Sequence, residues 1–192
     1  CEAYKIPATI LLAKYDLAAA DSEAAAAFHA TYESAGYRVV DLSTLDGTGL
    51  DAVRALVTGC TTLVAGNSGV GKSTLVGALE PGLALRTGSI SESHRKGRHT
   101  TTFSAMYPLT GGGFLIDTPG IKGFGLIDID DHELWHYFPE MMRIGASCRF
   151  YNCTHTHEPG CAVREAVARG EVARSRYESY LKIRDEDDKY RK

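Results

Sequence analysis

Short apolar runs alternate with amphipathic stretches through the first two thirds of the chain. Residues 8–13, "ATILLA", read as a strand; Asp21 then precedes an alanine-rich segment with Phe28, Tyr32 and Ala35 at helical spacing, and Gly36 ends it. "YRVVDLS" predicts a second strand and "DGTGLDAVRALVTG" a turn into a second helix. A third strand, "TTLVAG", runs into a glycine-rich loop and a helix beginning near Lys72. Strands joined by helices need right-handed crossovers, so the pattern predicts an α/β fold, a mostly parallel doubly wound sheet covered on both faces. "FSAMYPL" and "FLIDTPG", joined by the glycines 111–113, predict an antiparallel pair at one side of that sheet.

After about residue 130 the pattern changes. Apolar strands stop, cysteines cluster, and two helical segments follow, "AVREAVARG" and "EVARSRYESYLKIRDE", the second with Tyr177, Tyr180 and Leu181 on one face. This places a boundary between 1–130 and a small helical domain, 131–192. The closing "RDEDDKYRK" mixes its charges as a solvated helix tail does.

Composition narrows the classes. With 192 residues, 44% of them hydrophobic, the chain can bury one domain plus a smaller appendage. No stretch approaches the ~20 apolar residues of a membrane span, and the first residues carry no leader pattern, so a cytoplasmic chain without a membrane partner is expected. A net charge of −3 argues against a wholly basic nucleic-acid-binding surface and leaves room for local basic patches. Because the numbering opens at Cys1 and runs almost at once into a strand, a preceding portion is expected to be missing.

"GNSGVGKST", Gly66 to Thr74, fits G-x-x-x-x-G-K-[ST] between a strand and a helix. Gly66, Gly69 and Gly71 let the backbone of Asn67, Ser68 and Val70 curl so that successive N–H groups face phosphate oxygens at a positive helix N-terminus. Lys72 would reach the β- and γ-phosphates, Ser73 would ligate Mg²⁺, and Thr74 closes the motif. "FLIDTPG" then ends an apolar strand with Asp117, placed to hold Mg²⁺ through water, and Gly120, whose N–H can sense the γ-phosphate. Between them lies the polar "SESHRKGRHTTT", where Thr100 or Thr101 could complete the Mg²⁺ shell; the sequence leaves both open. Position 121 is Ile121, which cannot orient an attacking water as a glutamine would, so another group is needed. His99 is the nearest candidate, and slow intrinsic hydrolysis is expected until a partner orders residues 90–102.

The base-reading element stands at the wrong end. "AKYD", Ala13, Lys14, Tyr15 and Asp16, and the "DLSTLDG" loop with Ser43 precede the phosphate loop instead of following it. Rotation leaves the site intact, because domain termini lie at the surface, often close together, and strand neighbours rather than chain order build the pocket. The Asp16 carboxylate matches the N1–H and N2–H₂ donors of guanine and mismatches adenine, and Lys14 can lay its methylenes on the base.

Cys148, Cys153, His155 and Cys161 form C-x4-C-x-H-x5-C, three thiolates and an imidazole, a complete tetrahedral shell for one structural Zn²⁺. "EPG", 158–160, supplies the turn back to Cys161, and a small lobe with little core gains stability from such a site. Cys60 lies outside this pattern and is expected in the core.

The rotated order, with "GNSGVGKST", "KGRHTTT", "DTPGIKGFGL" and "CRFYNCTHTHEPGCAV", resembles the ribosome-small-subunit-dependent GTPase A (RsgA-type) family of circularly permuted GTPases over nearly the whole chain. The resemblance implies a GTP-binding and GTP-hydrolysing late assembly factor of the small (30S) ribosomal subunit and its rRNA, stimulated by that subunit and cycling between GTP and GDP with Mg²⁺. It also implies an N-terminal OB-fold domain, outside these residues, a C-terminal zinc-binding helical domain, and a role for His99 in hydrolysis. A monomer is expected. Ala13 departs from the family, which has asparagine there; guanine preference is expected to survive through Asp16, with weaker binding. A different class, a nucleotide-dependent binding module docking on RNA or protein through its zinc lobe, is separated from the enzyme by turnover.

Overall fold

The computed structural model describes residues 1–82, 105–118, 129–130 and 132–190. Strand β1 (Thr9–Ala13) leads through Lys14, in the left-handed region at φ 57°, into a single helical turn α1 (Tyr15–Ala18) and then α2 (Ser22–Ala35). Gly36, at φ 106°, ends α2 where the spacing predicts it. Strand β2 (Arg38–Leu42), helix α3 (Leu50–Val57), strand β3 (Cys60–Val64) and helix α4 (Lys72–Leu79) follow. Then come β4 (Ala105–Pro108) and β5 (Gly113–Asp117), a 3₁₀ turn Leu134–Tyr137, and helices α5 (Pro139–Gly145), α6 (Ala162–Ala168) and α7 (Arg174–Tyr190). The short α1 inside the base-reading loop, the 3₁₀ turn and α5 carry no strong periodicity and go beyond the elements read from the pattern.

Among the described residues the strands form two hydrogen-bonded sheets, β1–β2 and β3–β5–β4, rather than the single sheet expected. β3 and β5 run parallel, with Thr62 opposite Leu115 and Val64 opposite Asp117. β4 and β5 run antiparallel, as the glycine turn predicts, with Leu109 N–H donating to the Gly113 carbonyl at 3.1 Å. A Cβ at Gly113 would collide with the backbone of Cys60, so the close strand approach requires glycine there. That pairing also corrects one expectation: Cys60 opens its strand opposite Gly113, a residue with no side chain to cover it, and is exposed rather than in the core.

The chain packs as two compact units, one made of Leu11–Asp21 and Val40–Phe124, the other of Cys1–Ile10, Ser22–Val39 and Gly125–Lys192. In the first, Val40 and Leu42 of β2, Val53 and Val57 of α3, Leu75, Val76 and Leu79 of α4, Leu109 and the fully buried Leu115 share one core. In the second, Leu134, Phe138, Met141, Cys153, Cys161, Val163 and Tyr180 form another. These units divide the chain differently from a single cut at residue 130, because α2 joins the C-terminal helices. Arg143 of α5 donates to the carbonyls of Ser34 and Ala35 at 2.7 and 3.2 Å, satisfying the last turn of α2. Arg176 of α7 lies over Tyr37 and Phe138, 5.6 and 4.9 Å from the ring centroids, and donates two bonds to Glu140 at 2.7 and 3.2 Å. The pair is nearly dry, with side-chain exposures of 18% and 4%. No helix among the described residues is long and apolar enough to cross a membrane.

Candidate functional site

Three groups of the expected residues lie among those described. The first is the base-reading loop. Ala13 ends β1, Lys14 takes the left-handed conformation that turns the chain, and Tyr15 and Asp16 begin α1. Asp16 Oδ1 accepts a hydrogen bond from Ser43 Oγ at 2.8 Å. Ser43 is fully buried and its hydroxyl in turn accepts from the N–H groups of Leu45 and Asp46 at 3.2 and 3.4 Å. A hydroxyl held on both sides fixes the carboxylate's direction, and an ionised carboxylate retains lone pairs for further donors. Asp46 Oδ1 accepts from Thr48 N–H at 2.9 Å and closes this second loop as an Asx turn.

The second group is the phosphate loop. Gly69 and Gly71 have φ of 79° and 107°, conformations that favour glycine, and Gly66 sits at φ 157°. Lys72 opens α4 and points back, its Nζ donating to the carbonyls of Gly66 at 2.7 Å and Asn67 at 3.0 Å. The ammonium is thereby held inside the loop, whose residues Asn67, Ser68, Gly69 and Val70 are exposed. Thr74 is exposed on the first turn of α4. Ser73 Oγ donates to Asp117 Oδ2 at 2.8 Å, joining the start of α4 to the end of β5. Asp117 is buried, and its Oδ1 has no hydrogen-bond partner among the described residues. Orphaned buried carboxylate oxygens are costly, and an oxygen-only pair of hydroxyl and carboxylate suits a hard divalent cation. Thr118 donates from its hydroxyl to the Val64 carbonyl at 2.9 Å and ties the strand ends together. His99, Thr100, Thr101, Gly120 and Ile121 lie outside the described residues.

The third group is the cysteine cluster. The donor atoms of Cys148, Cys153, His155 and Cys161 all lie within 4.8 Å of one another, and together they could hold one metal ion. His155 Nδ1 is 3.5 Å from Cys148 Sγ and 3.4 Å from Cys161 Sγ. Burial pushes the Cys153 thiol up to about 12, raises Cys161 as well, and lowers the His155 imidazole. The protein environment by itself therefore favours neutral thiols and a neutral ring, and a bound cation is what would favour thiolates.

The residues around this cluster are what sequence reading missed. Glu158, read there only as part of a turn, accepts from Thr154 N–H and hydroxyl at 2.9 and 2.5 Å and from the N–H groups of Thr156 and His157 at 3.1 and 3.2 Å. Burial would raise its carboxyl, but these donors outweigh it and hold the group well below the usual glutamate range. Tyr177 and Tyr180 of α7 donate their hydroxyls to the carbonyls of His155 and Thr154, each at 2.6 Å. Their helical spacing was visible, but only as an apolar face. His155 itself sits at φ 59°, strained for a non-glycine residue, and the surrounding hydrogen bonds hold it there.

A family model described as RsgA GTPase matches residues 1–127. The chain is 49% identical over 193 residues to the small ribosomal subunit biogenesis GTPase RsgA of Bacteroides fragilis, covering 99% of this chain and 62% of that protein. It is also 49% identical over 191 residues to the protein of the same name from Porphyromonas gingivalis, covering 97% and 61%. Among solved structures it is similar to YjeQ from Thermotoga maritima, with a TM-score of 0.75 and 35% identity over 95% of this chain and 60% of the other. A second neighbour, YloQ, described as a circularly permuted GTPase, has a TM-score of 0.72 and 32% identity over 96% and 57%. The α/β architecture is thus that of a solved circularly permuted GTPase, as the rotated motif order leads one to expect. The chain spans about three fifths of the length of the relatives it matches.

Proposed function

The chain belongs to the RsgA GTPase family, and from that premise we propose that it binds GTP, hydrolyses it to GDP and phosphate, and acts in assembly of the small ribosomal subunit. The observation that carries this reading is the pairing of Ser73 with Asp117, at 2.8 Å, beside a lysine held within the phosphate loop. Lys72 would neutralise the β- and γ-phosphates while the loop N–H groups and the start of α4 cradle them. Ser73, Asp117 and one of Thr100 and Thr101 would hold Mg²⁺, which supplies charge neutralisation at the phosphates; Gly120 N–H would read the γ-phosphate. Asp16, aimed by Ser43, would accept from the guanine N1–H and N2–H₂, with Lys14 against the base plane. His99 would position the attacking water in place of the group that Ile121 cannot supply.

The metal of the cysteine cluster is zinc in this reading. Tetrahedral Zn–S bonds of about 2.3 Å and Zn–N bonds of about 2.0–2.1 Å call for sulfur–nitrogen edges of roughly 3.5 Å. The Nδ1–Sγ separations of 3.4 and 3.5 Å suit such edges. Four protein donors leave no open position, so the metal's work is structural and belongs to the 131–192 region rather than to the 1–130 GTPase region. The protein acts as a monomer in the cytoplasm, with the small subunit and its rRNA as partner.

Phosphate release with and without purified small subunits tests the function. Slow turnover alone and acceleration on adding subunits are expected, and turnover that subunits do not change overturns the assembly role. The second reading, a nucleotide-dependent binding module, draws on Ala13 at the base site and gains if no turnover is found under either condition.

A further inference from the structure

The loop between the first two cysteines of the metal cluster presents two aromatic rings at the surface, one of them wholly exposed. In "CRFYNC", Arg149, Phe150, Tyr151 and Asn152 are all exposed, Phe150 at 40% and Tyr151 at 101%. The Arg149 guanidinium lies over the Phe150 ring, 5.4 Å from its centroid. The loop is also held in place. Arg149 N–H donates to the Gly160 carbonyl at 3.1 Å and Cys153 N–H to the Phe150 carbonyl at 3.2 Å, and the flanking Cys148 and Cys153 belong to the metal cluster. From Ala146 to His157 there is no acidic residue, and the next, Glu158, has both carboxylate oxygens occupied by four donors.

A fixed tip with an open aromatic face, a second ring capped by a guanidinium, an amide at Asn152 and no carboxylate within its own segment, 146–157, has the chemistry that suits an unstacked nucleobase with its phosphate. We propose that Arg149, Phe150 and Tyr151 form a stacking site for single-stranded RNA, with Tyr151 taking a base on its ring face and Arg149 the adjoining phosphate. The alternative of a protein partner fits less well, because the segment carries a guanidinium and no carboxylate from Ala146 to His157, and a guanidinium beside an aromatic ring suits a phosphate beside a base. The source of the RNA follows from the small-subunit reading above, but stacking does not depend on nucleotide turnover.

The test uses the zinc-loaded full chain and a labelled, unstructured RNA oligonucleotide, followed by fluorescence anisotropy across a salt series. Tyr151→Ala should weaken binding about tenfold or more with little change in the salt slope, since stacking carries no counterion release. Arg149→Ala should make the logarithmic salt slope less steep by about one. Tyr151→Trp should restore affinity, and unchanged zinc content in every variant shows that the tip remains folded. A duplex of the same composition should bind wild type and Tyr151→Ala equally. The proposal is overturned if Tyr151→Ala and the Phe150→Ala/Tyr151→Ala pair bind the single strand as wild type does, as a protein-docking tip would, or if the duplex loses as much affinity as the single strand. Subunit-stimulated phosphate release, measured separately on wild type, reports on the functional reading alone, so either can fail without the other.

Discussion

The phosphate loop and the cysteine cluster hold their polar groups in opposite ways. In the loop, among the described residues, Lys72 is bonded to the carbonyls of Gly66 and Asn67 and Ser73 to one oxygen of Asp117, and Asn67 to Val70 are exposed. In the cluster, Cys153, His155 and Cys161 are buried, Glu158 ties the loop between ligands through four bonds, and two tyrosines of a different helix hold its carbonyls. Under the proposed function the loop would exchange partners with every nucleotide and keeps its bonds replaceable, whereas the cluster, able to hold one metal ion, fixes the groups around it. Hydrogen bonds that hold the backbone and side chains around metal ligands orient those ligands and raise metal affinity.

The largest test of this contrast is metal removal. A strong chelator should unfold the region around α6 and α7, since structural zinc contributes roughly 10–16 kcal/mol of apparent binding free energy in small domains. Loss of helical circular dichroism and a red shift of Trp135, whose ring meets His155 edge-on at 4.7 Å, would report it, with recovery on adding zinc. An unchanged spectrum in fully zinc-free protein would break the comparison.

Next in size is Glu140→Ala, which leaves the Arg176 guanidinium dry and unpaired and should cost about 3–5 kcal/mol in urea unfolding. Adding Arg176→Met should recover much of that loss, because two apolar groups replace the ion pair. A single variant as stable as wild type would show that the pair is hydrated in solution.

At the base-reading loop, Ala13→Asn adds an amide that can donate to guanine N7 and tie the loop to the phosphate loop. Calorimetric titration should show GTP binding tightened by ~1–3 kcal/mol, with ATP affinity unchanged. Equal affinity of the unmodified chain for GTP and ATP would remove the guanine assignment from Asp16.

The smallest effect is one of pH. Because the Glu158 carboxyl is depressed in the folded state, its stabilisation is fully present above the ordinary glutamate value of 4.5 and is lost as pH falls below it. Wild type should therefore lose more thermal stability than Glu158→Gln between about pH 6 and pH 3, although both lose some as the cysteine cluster protonates. Parallel curves for the two proteins would show that the four hydrogen bonds are not maintained.

Much of this was legible because its causes are local. A phosphate loop needs glycines, a lysine and a hydroxyl in one short run; the four metal donors stand within fourteen residues, 148–161; and Gly36 and the glycines 111–113 mark real ends and turns. The strand and helix order followed from periodicity, and the family from the order of the motifs. What remained hidden depends on groups distant in sequence meeting in space. Nothing near Ser43 announces that its hydroxyl aims Asp16, 27 positions earlier. Nothing around Glu140 announces Arg176, 36 positions later, or that α2 packs with the C-terminal helices through Arg143. Cys60 looked like core and is exposed, because burial is set by what a strand end meets in the fold, here Gly113, and not by residue type. The sequence by itself determined the chemistry available, the elements and the two kinds of site; tertiary packing decided which carboxylates are aimed, paired or left with an open oxygen, because the desolvation and hydrogen bonding that govern them exist only once distant segments are brought together.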